Sequence, residues 1–221
     1  MLFGAEEQDG AANPQSQVTS ISRSYQVASR RRTIYRDDDS SNSIAIICDG
    51  WACAYISLPS GRRQTLSFLL PGDITSAAAV FREHPGVTVE AVTDLHYCMI
   101  DKTELKSLLR SNQDVFGEFS RIWAEREEEI GKLATSLGHK TAEQRIAQLI
   151  LDLMKRQSVR NRVHNGSFEF PLRQQHIADA TGLTVVHVNR VIGGMRRLGI
   201  IEIKGRTLTV LNLPKLEQIG N

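Results

Sequence analysis

The side chains best suited to recognising a ligand by hydrogen bonds are concentrated around residue 190. Arg190 carries a planar guanidinium that can donate two parallel hydrogen bonds to guanine, and the amide of Asn189 can pair in a similar way with adenine. Each such pair discriminates against the wrong base by roughly 1–3 kcal/mol. His187, Arg196 and Arg197 add polar chemistry nearby. The chemistry indicated is the readout of base edges in a nucleic-acid groove.

Two short helices are predicted to position these side chains. Residues 174–180 form the first helix, and Thr181-Gly182-Leu183 forms a turn in which glycine supplies a left-handed backbone conformation. Thr184 is a good N-cap for a second helix over 185–198. A short helix, a glycine turn and a second helix with polar side chains near its start are typical of a helix-turn-helix. A helical hairpin used only for packing is the alternative.

A basic β-hairpin is predicted directly after the second helix. Segments 200–203 and 207–211 have β-type composition and flank the turn Lys204-Gly205-Arg206, which is typical of a wing. Each glycine of Gly193-Gly194 destabilises a helix by roughly 1 kcal/mol relative to alanine. A second helix that approaches closely would explain why glycine stands there, and we expect such an approach. The predicted DNA-contacting residues are Gln175, Thr184, Val186, His187, Asn189, Arg190, Arg197, Lys204 and Arg206.

The distribution of charge agrees with a DNA-binding C-terminal part. The net charge is +2, but residues 138–221 carry 13 Lys and Arg against 6 Asp and Glu, whereas residues 1–137 carry 14 against 19. A basic block beside an acidic one indicates that one end of the chain meets a polyanion and the other does not.

The first half of the chain is predicted to be a β domain. Residues 1–20 lack an apolar pattern and are predicted to be a disordered tail. Residues 21–110 contain short strands at regular spacing, typical of an antiparallel barrel or sandwich. Asp49-Gly50 is predicted to be a hairpin turn that pairs strand 44–48 with strand 51–58.

Residues 111–138 have the pattern of a long dimerisation helix. Apolar residues alternate at steps of three and four, which indicates a two-stranded coiled coil in a homodimer. An amphipathic helix lying on its own domain is the alternative. Arg126 interrupts the seam, where it could set the register or contact a ligand. The seam residues are Phe116, Phe119, Trp123, Arg126, Ile130, Leu133 and Leu137. We expect a final domain over 139–221, opened by a helix that Thr141 caps.

Several classes of protein are disfavoured. The N-terminus lacks the pattern of a secretory signal, and the apolar runs are too short to cross a membrane, so a cytoplasmic protein is expected. Three scattered cysteines do not form a disulfide framework. Glu127, Glu128 and Glu129 are consecutive, so they spread around a helix rather than converge. We find no catalytic constellation in the sequence and predict that the protein is not an enzyme.

Three segments give the chain a resemblance to the CRP/FNR superfamily over about residues 25–213. They are Leu70-Pro71-Gly72-Asp73, the segment 140–148 and the helix 182–190, together with the long helix between the two domains. The resemblance implies an α+β fold: an N-terminal antiparallel β-roll of the cyclic-nucleotide-binding type, a dimerisation helix and a C-terminal winged helix-turn-helix. It also implies homodimeric binding to double-stranded DNA at a pseudo-palindromic operator, and contact with RNA polymerase for activation.

The same resemblance implies roles for individual residues. The family reads base pairs through a Glu, a Ser or Gly, and an Arg, which fall here on Val186, Asn189 and Arg190. The arginine is kept, but Val186 cannot accept a hydrogen bond from cytosine and could instead meet a thymine methyl. Gln175 falls where the family contacts a phosphate. The operator is therefore expected to depart from the family's usual sequence at one base pair.

The effector is not indicated by the sequence. Residues 81–88 lack the Arg-Ser pair with which cyclic-nucleotide receptors of the family hold the phosphate, and Asp73 stands where those receptors have a glutamate. Cys98 matches one ligand of an iron–sulfur cluster, but no cysteine precedes Cys48. A haem site using His96 and Cys98 is weakly supported, so no cofactor is predicted. The residues considered for an effector pocket are Asp73, Arg82, Cys98 and Arg126.

Other interpretations stay open at this point. Cys48 and Cys53 flank the predicted turn and could form a redox pair, although buried inert cysteines are commoner. The chain begins close to the first strand of the roll, so constitutive DNA binding is also considered. A ligand-binding receptor module whose winged helix serves protein contacts is the alternative function, and a cupin-like metal enzyme is a third.

Overall fold

The computed structural model describes residues 22–221, so the predicted tail at 1–20 lies outside the described residues. The chain divides into two compact units. The first consists of residues up to Leu58 together with Leu66–Ile130, and the second of Pro59–Thr65 together with Gly131–Asn221.

Seven strands form the two antiparallel sheets of the N-terminal domain. One sheet has the order β1-β7-β3 and the other the order β2-β6-β4-β5. The strands are β1 Arg23–Ala28, β2 Thr33–Tyr35, β3 Ser43–Asp49, β4 Ala52–Ser57, β5 Arg63–Leu69, β6 Thr88–Ala91 and β7 Leu95–Asp101. A short 3-10 helix, Ala78–Val80, lies between β5 and β6.

Strand β3 is apolar along almost its whole length because both of its faces are buried. Alternate residues of a strand point to opposite faces of the sheet. Ala45 and Ile47 pack between the two sheets with Leu69 and Val89. Ile44 and Ile46 face the other way and pack in a second core, which the helices cover. The N-terminal domain therefore has three layers: sheet, sheet and helices.

The prediction of a hairpin at Asp49-Gly50 is wrong. Strand β3 pairs with β7, whereas β4 pairs with β6 and β5, so the chain changes sheets at this point. Gly50 has a φ of +84°, and a Cβ added there would lie 2.2 Å from the carbonyl oxygen of Asp94. The chain also crosses between the sheets from β6 to β7, and Trp51 is hydrogen-bonded to Val92 and Thr93 where this crossing meets the one at Gly50. Glycine is required by this close approach.

A helix that the sequence analysis missed follows β7. Helix α1, Lys102–Ser111, begins at Asp101, whose carboxylate accepts hydrogen bonds from the backbone N–H groups of Thr103 and Glu104 at 2.7 and 3.0 Å. These bonds, above all that from Glu104, lower the pKa of Asp101. Leu105, Leu108 and Leu109 are buried in the second core.

Helix α2, Gln113–His139, is the predicted long helix. The assignment of Phe119 to the dimer seam requires correction. Phe119 is buried in the core of its own domain, where its ring contacts Phe81 and Trp123 edge-on. The heptad pattern identifies an apolar stripe, but Phe119 within that stripe is covered by the chain's own β domain.

Four helices and a small sheet form the C-terminal part besides the end of α2. The elements are α3 Ala142–Ser158, β8 Ser167–Glu169, α4 Gln174–Thr181, α5 Val185–Arg197, β9 Ile201–Lys204, β10 Thr207–Val210 and α6 Leu213–Gly220. Thr141 caps α3 as predicted, and Gln144 completes a capping box by accepting from the Thr141 backbone N–H at 2.9 Å. Strand β8 and helix α6, which packs on α3, were not predicted.

The observed elements confirm the predicted fold class. The chain has an antiparallel β domain, a long helix and a winged helix-turn-helix in that order. Within residues 22–221, no helix combines the length and the apolar content needed to cross a bilayer.

Candidate nucleic-acid interface

The first helix of the predicted motif, α4, ends at a glycine turn. Gly182 has a φ of +67° and its backbone N–H donates to the carbonyl of Ala178. The Leu183 N–H donates to the same carbonyl at 3.1 Å. A Cβ added at Gly182 would lie 3.0 Å from a methyl carbon of Leu137. The turn predicted at 181–183 is therefore present, and space as well as backbone conformation favours glycine there.

The second helix, α5, is held by its apolar back face. Thr184 is its N-cap, with Oγ1 accepting from the backbone N–H of His187 at 3.2 Å. The buried residues of the helix are Val188, Val191, Ile192 and Met195, as the sequence predicted. Their burial fixes which side of α5 meets solvent.

The solvent-facing side of α5 carries the predicted base-reading residues. Val186 has 79% of its side-chain surface exposed, which is unusual for valine in a folded domain. Asn189 and Arg190 are also exposed. Nη2 of Arg190 lies 2.7 Å from Nε2 of His187, one helical turn back. The guanidinium is therefore at the surface beside an imidazole, and the structure brings these four side chains onto one face.

The predicted wing is a three-stranded sheet of order β8-β10-β9. Lys204 and Arg206 lie at its tip on either side of Gly205, which has a φ of +58°. Each cation has a carboxylate neighbour: Lys204 pairs with Glu202 at 2.9 Å, and Arg206 pairs with Glu169 at 2.8 Å. Both pairs are largely exposed, so they contribute little to stability and can exchange partners.

Two other predicted contact residues lie on the surface of the same domain. Gln175 is exposed in the first turn of α4, where its amide donates to Asp179 at 2.7 Å. Arg197 is exposed at the end of α5. Neither side chain takes part in a core.

The sequence analysis missed the role of Arg145 on α3. Its guanidinium donates to three backbone carbonyls: Leu137 at 2.7 Å, Lys140 at 2.9 Å and Thr181 at 3.1 Å. The first two carbonyls are left without helical partners at the end of α2, and the third is at the end of α4. Arg145 therefore ties the helix-turn-helix to the end of α2. The available signal was its place four residues after the N-cap Thr141, within the segment 140–148.

The expectation for Gly193-Gly194 is wrong. A Cβ added at either glycine would have no heavy atom outside its own helix backbone within 4 Å. No close helix approach requires these glycines in the described part of the chain, and nothing in the structure explains them.

The seam of α2 is partly exposed. Phe116, Trp123 and Ile130 have 53%, 38% and 38% of their surface exposed, and Leu133 and Leu137 are partly buried. Arg126 turns toward the sheet, where its guanidinium donates to Ser67 Oγ on β5 and pairs with Glu129 at 2.6 Å. The apolar seam residues other than Phe119 therefore still form a stripe on the helix, and part of this stripe is exposed.

The residues considered for an effector pocket lie in different surroundings. An Asp73 carboxylate oxygen accepts from the Leu70 backbone N–H at 2.8 Å, within the turn after β5. Arg82 is exposed, Cys98 is buried and Arg126 pairs as described. Their assignment to one pocket stays a prediction. Among the described residues, no group of three or more His, Cys, Asp or Glu side chains could hold a metal ion.

Two family models match this chain. The Crp-like helix-turn-helix domain matches residues 144–219, and the cyclic nucleotide-binding domain matches residues 26–112. The two matches do not overlap and together account for most of the sequence.

Curated relatives are similar along most of their length. The transcriptional activator protein FnrL of Cereibacter sphaeroides is 27% identical over 187 residues, which are 83% of this chain and 73% of the relative. The nitrogen fixation regulation protein FixK of Azorhizobium caulinodans is 26% identical over 198 residues, 88% of this chain and 77% of the relative.

The fold is also similar to solved structures. The structure of FixK2 from Bradyrhizobium japonicum has a TM-score of 0.82 at 22% identity and covers 91% of this chain and 98% of its own. A CooA mutant from Carboxydothermus hydrogenoformans has a TM-score of 0.72 at 20% identity. The match covers 90% of this chain and 88% of the CooA chain.

Proposed function

Because the chain belongs to the CRP/FNR superfamily, we propose that it regulates transcription as a homodimer that reads a pseudo-palindromic operator through α5. The protein is a DNA-binding transcription regulator, as its relatives are. The choice of contact residues, the dimer and the operator symmetry are our proposals.

The observation that carries the proposal is the exposure of Arg190 on a helix whose opposite face is buried. A core role for Arg190 would remove it from any base edge. Instead the guanidinium is at the surface, in the second turn after the N-cap, with Asn189 beside it. Recognition helices contact bases with residues near their N-terminus. Arg190 and Asn189 therefore supply direct readout, whereas Gln175, Lys204 and Arg206 supply contacts with phosphates.

Selection of bound sequences from a random duplex library tests this proposal with the purified full chain. We expect enrichment of two inverted half-sites whose centres are about one helical turn apart, roughly 34–36 Å. Binding should weaken steeply with salt, because each phosphate contact releases counterions. Recovery of no common sequence, with binding that is equally tight to all duplexes, would favour the alternative in which the winged helix serves protein contacts.

Val186 is proposed to specify the base pair at which the operator departs from the family's usual site. Replacing Val186 with glutamate places a hydrogen-bond acceptor where cytosine N4 can donate. We expect the selected base at that position to change to cytosine, with a preference of roughly 10-fold or more over the wild-type operator base. The measurement is library selection with both proteins in parallel.

Val186→Gln is the matched control for this substitution, because its amide has nearly the same size without the charge. A glutamine variant that prefers adenine and a glutamate variant that prefers cytosine would support direct contact. Unchanged operators for both variants would show that residue 186 does not face the base pairs.

The exposed stripe on α2 is proposed to form the dimer interface. In a symmetric dimer, Ile130→Glu would bring two carboxylates to the interface without partners. We expect the dimer dissociation constant to rise roughly 100-fold or more, as measured by sedimentation equilibrium. Thr135→Glu adds the same charge on the exposed side of the helix away from the seam and should leave the dimer unchanged. Equal effects of the two variants would contradict the proposal.

A cyclic nucleotide does not fit the residues present in the N-terminal domain. The only Lys or Arg in residues 81–88 is Arg82, and its side chain is exposed rather than held against a buried phosphate. Phe81 instead packs on Trp123, with ring centroids 5.7 Å apart. The Asp73 carboxylate is engaged within its own turn. We therefore derive no regulatory step from a cyclic nucleotide.

The remaining proposals concern cellular context. FnrL is a transcriptional activator by name, so we propose that this protein also activates transcription through contact with RNA polymerase. We propose a cytoplasmic location because bacterial DNA is there. A catalytic role is not proposed.

A further inference from the structure

Two cysteines that are fifty residues apart in sequence lie side by side in the N-terminal domain. Cys98 on β7 is opposite Ile46 on β3, and Cys48 is two residues further along β3. The register between these strands shifts between Ile47 and Asp49, so Cys48 is the extra residue of a β-bulge. The Cys48 thiol donates to the carbonyl of Ile46 at 3.8 Å, and Ile46 is the residue opposite Cys98, so the register places the two thiols close together.

This arrangement corrects the expected pairing of Cys48 with Cys53. Because the chain changes sheets at Gly50, Cys53 lies on β4 in the other sheet, where it is opposite Glu90 and buried. Cys98 packs with Ile46 in the core that the helices cover, and Cys48 is exposed at the bulge next to this core.

The two thiols have different environments. Cys48 is exposed, whereas Cys98 has only 6% of its surface exposed. Burial first, and then the neighbouring Cys48 side chain, raise the pKa of the Cys98 thiol to about 11. Cys98 therefore keeps its proton at neutral pH, and solvent-borne reagents reach Cys48 first.

We propose that Cys48 and Cys98 form an oxidation site at which hydrogen peroxide converts the two thiols into an intramolecular disulfide. The Cys48 thiolate attacks one peroxide oxygen, the O–O bond breaks, and Cys48 sulfenic acid and hydroxide form. The sulfur of Cys98 then attacks the Cys48 sulfur, and hydroxide leaves and takes up the Cys98 proton as water. In total the two thiols lose two protons and two electrons, and one molecule of hydrogen peroxide is reduced to two molecules of water. This site lies in the β domain and does not depend on how the protein reads DNA.

The experiment treats the folded 221-residue chain with hydrogen peroxide and maps its tryptic peptides without reduction. Cys48 and Cys53 fall in one peptide, 37–62, and Cys98 falls in another, 83–102. We expect these peptides to be joined, with a mass lower than their sum by two hydrogen atoms and with one of the three cysteines still free. The Cys53→Ser variant should give the same link at the same rate, independent of protein concentration.

Two further variants assign the order of reaction. In Cys98→Ser, we expect Cys48 sulfenic acid to accumulate and to be trapped by dimedone. In Cys48→Ser, Cys98 should stay reduced, because it is buried and has lost its partner. The proposal is overturned if Cys98 oxidises equally fast without Cys48, if the link disappears in Cys53→Ser, or if peroxide yields only covalent dimers joined through Cys48.

Discussion

Arg190→Ala is expected to remove operator selectivity while the protein stays folded and keeps its affinity for unrelated DNA. The bidentate contact with guanine contributes about 1–3 kcal/mol at each half-site. A symmetric dimer loses it twice, so specific affinity should fall by between about 30-fold and about 10⁴-fold. The side chain is exposed and lies outside the core of α5, so the free energy of unfolding should change by less than about 0.5 kcal/mol. Fluorescence anisotropy with operator and scrambled duplexes measures the change.

Two control variants separate the shape of the Arg190 side chain from its charge. Arg190→Lys keeps the charge but cannot form the planar two-bond contact, so it should lose most of the selectivity and little of the non-specific binding. Arg197→Ala removes one exposed cation at the end of the same helix and should weaken binding to both duplexes alike. Selectivity that survives in both Arg190 variants would mean that Arg190 does not touch a base.

Gly50→Ala is expected to destabilise the N-terminal domain severely. The residue has a φ of +84°, and its new Cβ would overlap the backbone oxygen of Asp94 at 2.2 Å. The left-handed conformation alone costs about 1–2 kcal/mol for a residue with a Cβ. The overlap is with backbone, which cannot move aside as a side chain can, so we expect a total loss of about 3 kcal/mol or more. Urea denaturation followed by far-UV circular dichroism measures it.

Gly61→Ala is the matched control for this substitution. Gly61 has a similar φ of +78°, but no atom lies within 4 Å of an added Cβ. Its loss of stability should therefore reflect the backbone conformation alone, at about 1–2 kcal/mol. The difference between the two losses of stability measures the energetic cost of the contact between a Cβ at residue 50 and the backbone of Asp94. Equal losses would show that Asp94 moves aside at little cost.

The winged helix-turn-helix could be predicted because its signals are local. Thr184 as N-cap, Gly182 as turn residue and the spacing of Val188, Val191 and Ile192 are all determined within a few residues, and the structure has each of them. Helix α1 had a comparable signal, since Asp101 caps it and Leu105 and Leu108 follow at helical spacing. It was missed because it directly follows β7 without a break.

The errors concern which elements face each other. Asp49-Gly50 has the composition of a hairpin turn, but no local pattern in the sequence indicates that β3 pairs with β7. The unpredicted pairing of β3 with β7 also explains why Cys48 was expected to face Cys53. The proximity of Cys48 to Cys98 depends on the register of these two strands and on a bulge. Phe119 fits the heptad pattern, yet a heptad does not show whether the stripe is covered by a partner or by the chain's own domain.

The carboxylates at the wing tip would compete with DNA phosphates for its two cations, if the wing contacts the DNA backbone as proposed. Glu202 and Glu169 already pair with Lys204 and Arg206. A phosphate must displace one of these carboxylates before it gains the charge of the cation. Because both pairs are largely exposed, this exchange costs little free energy. The acidic side chains would therefore reduce the contribution of the wing to DNA affinity without abolishing it.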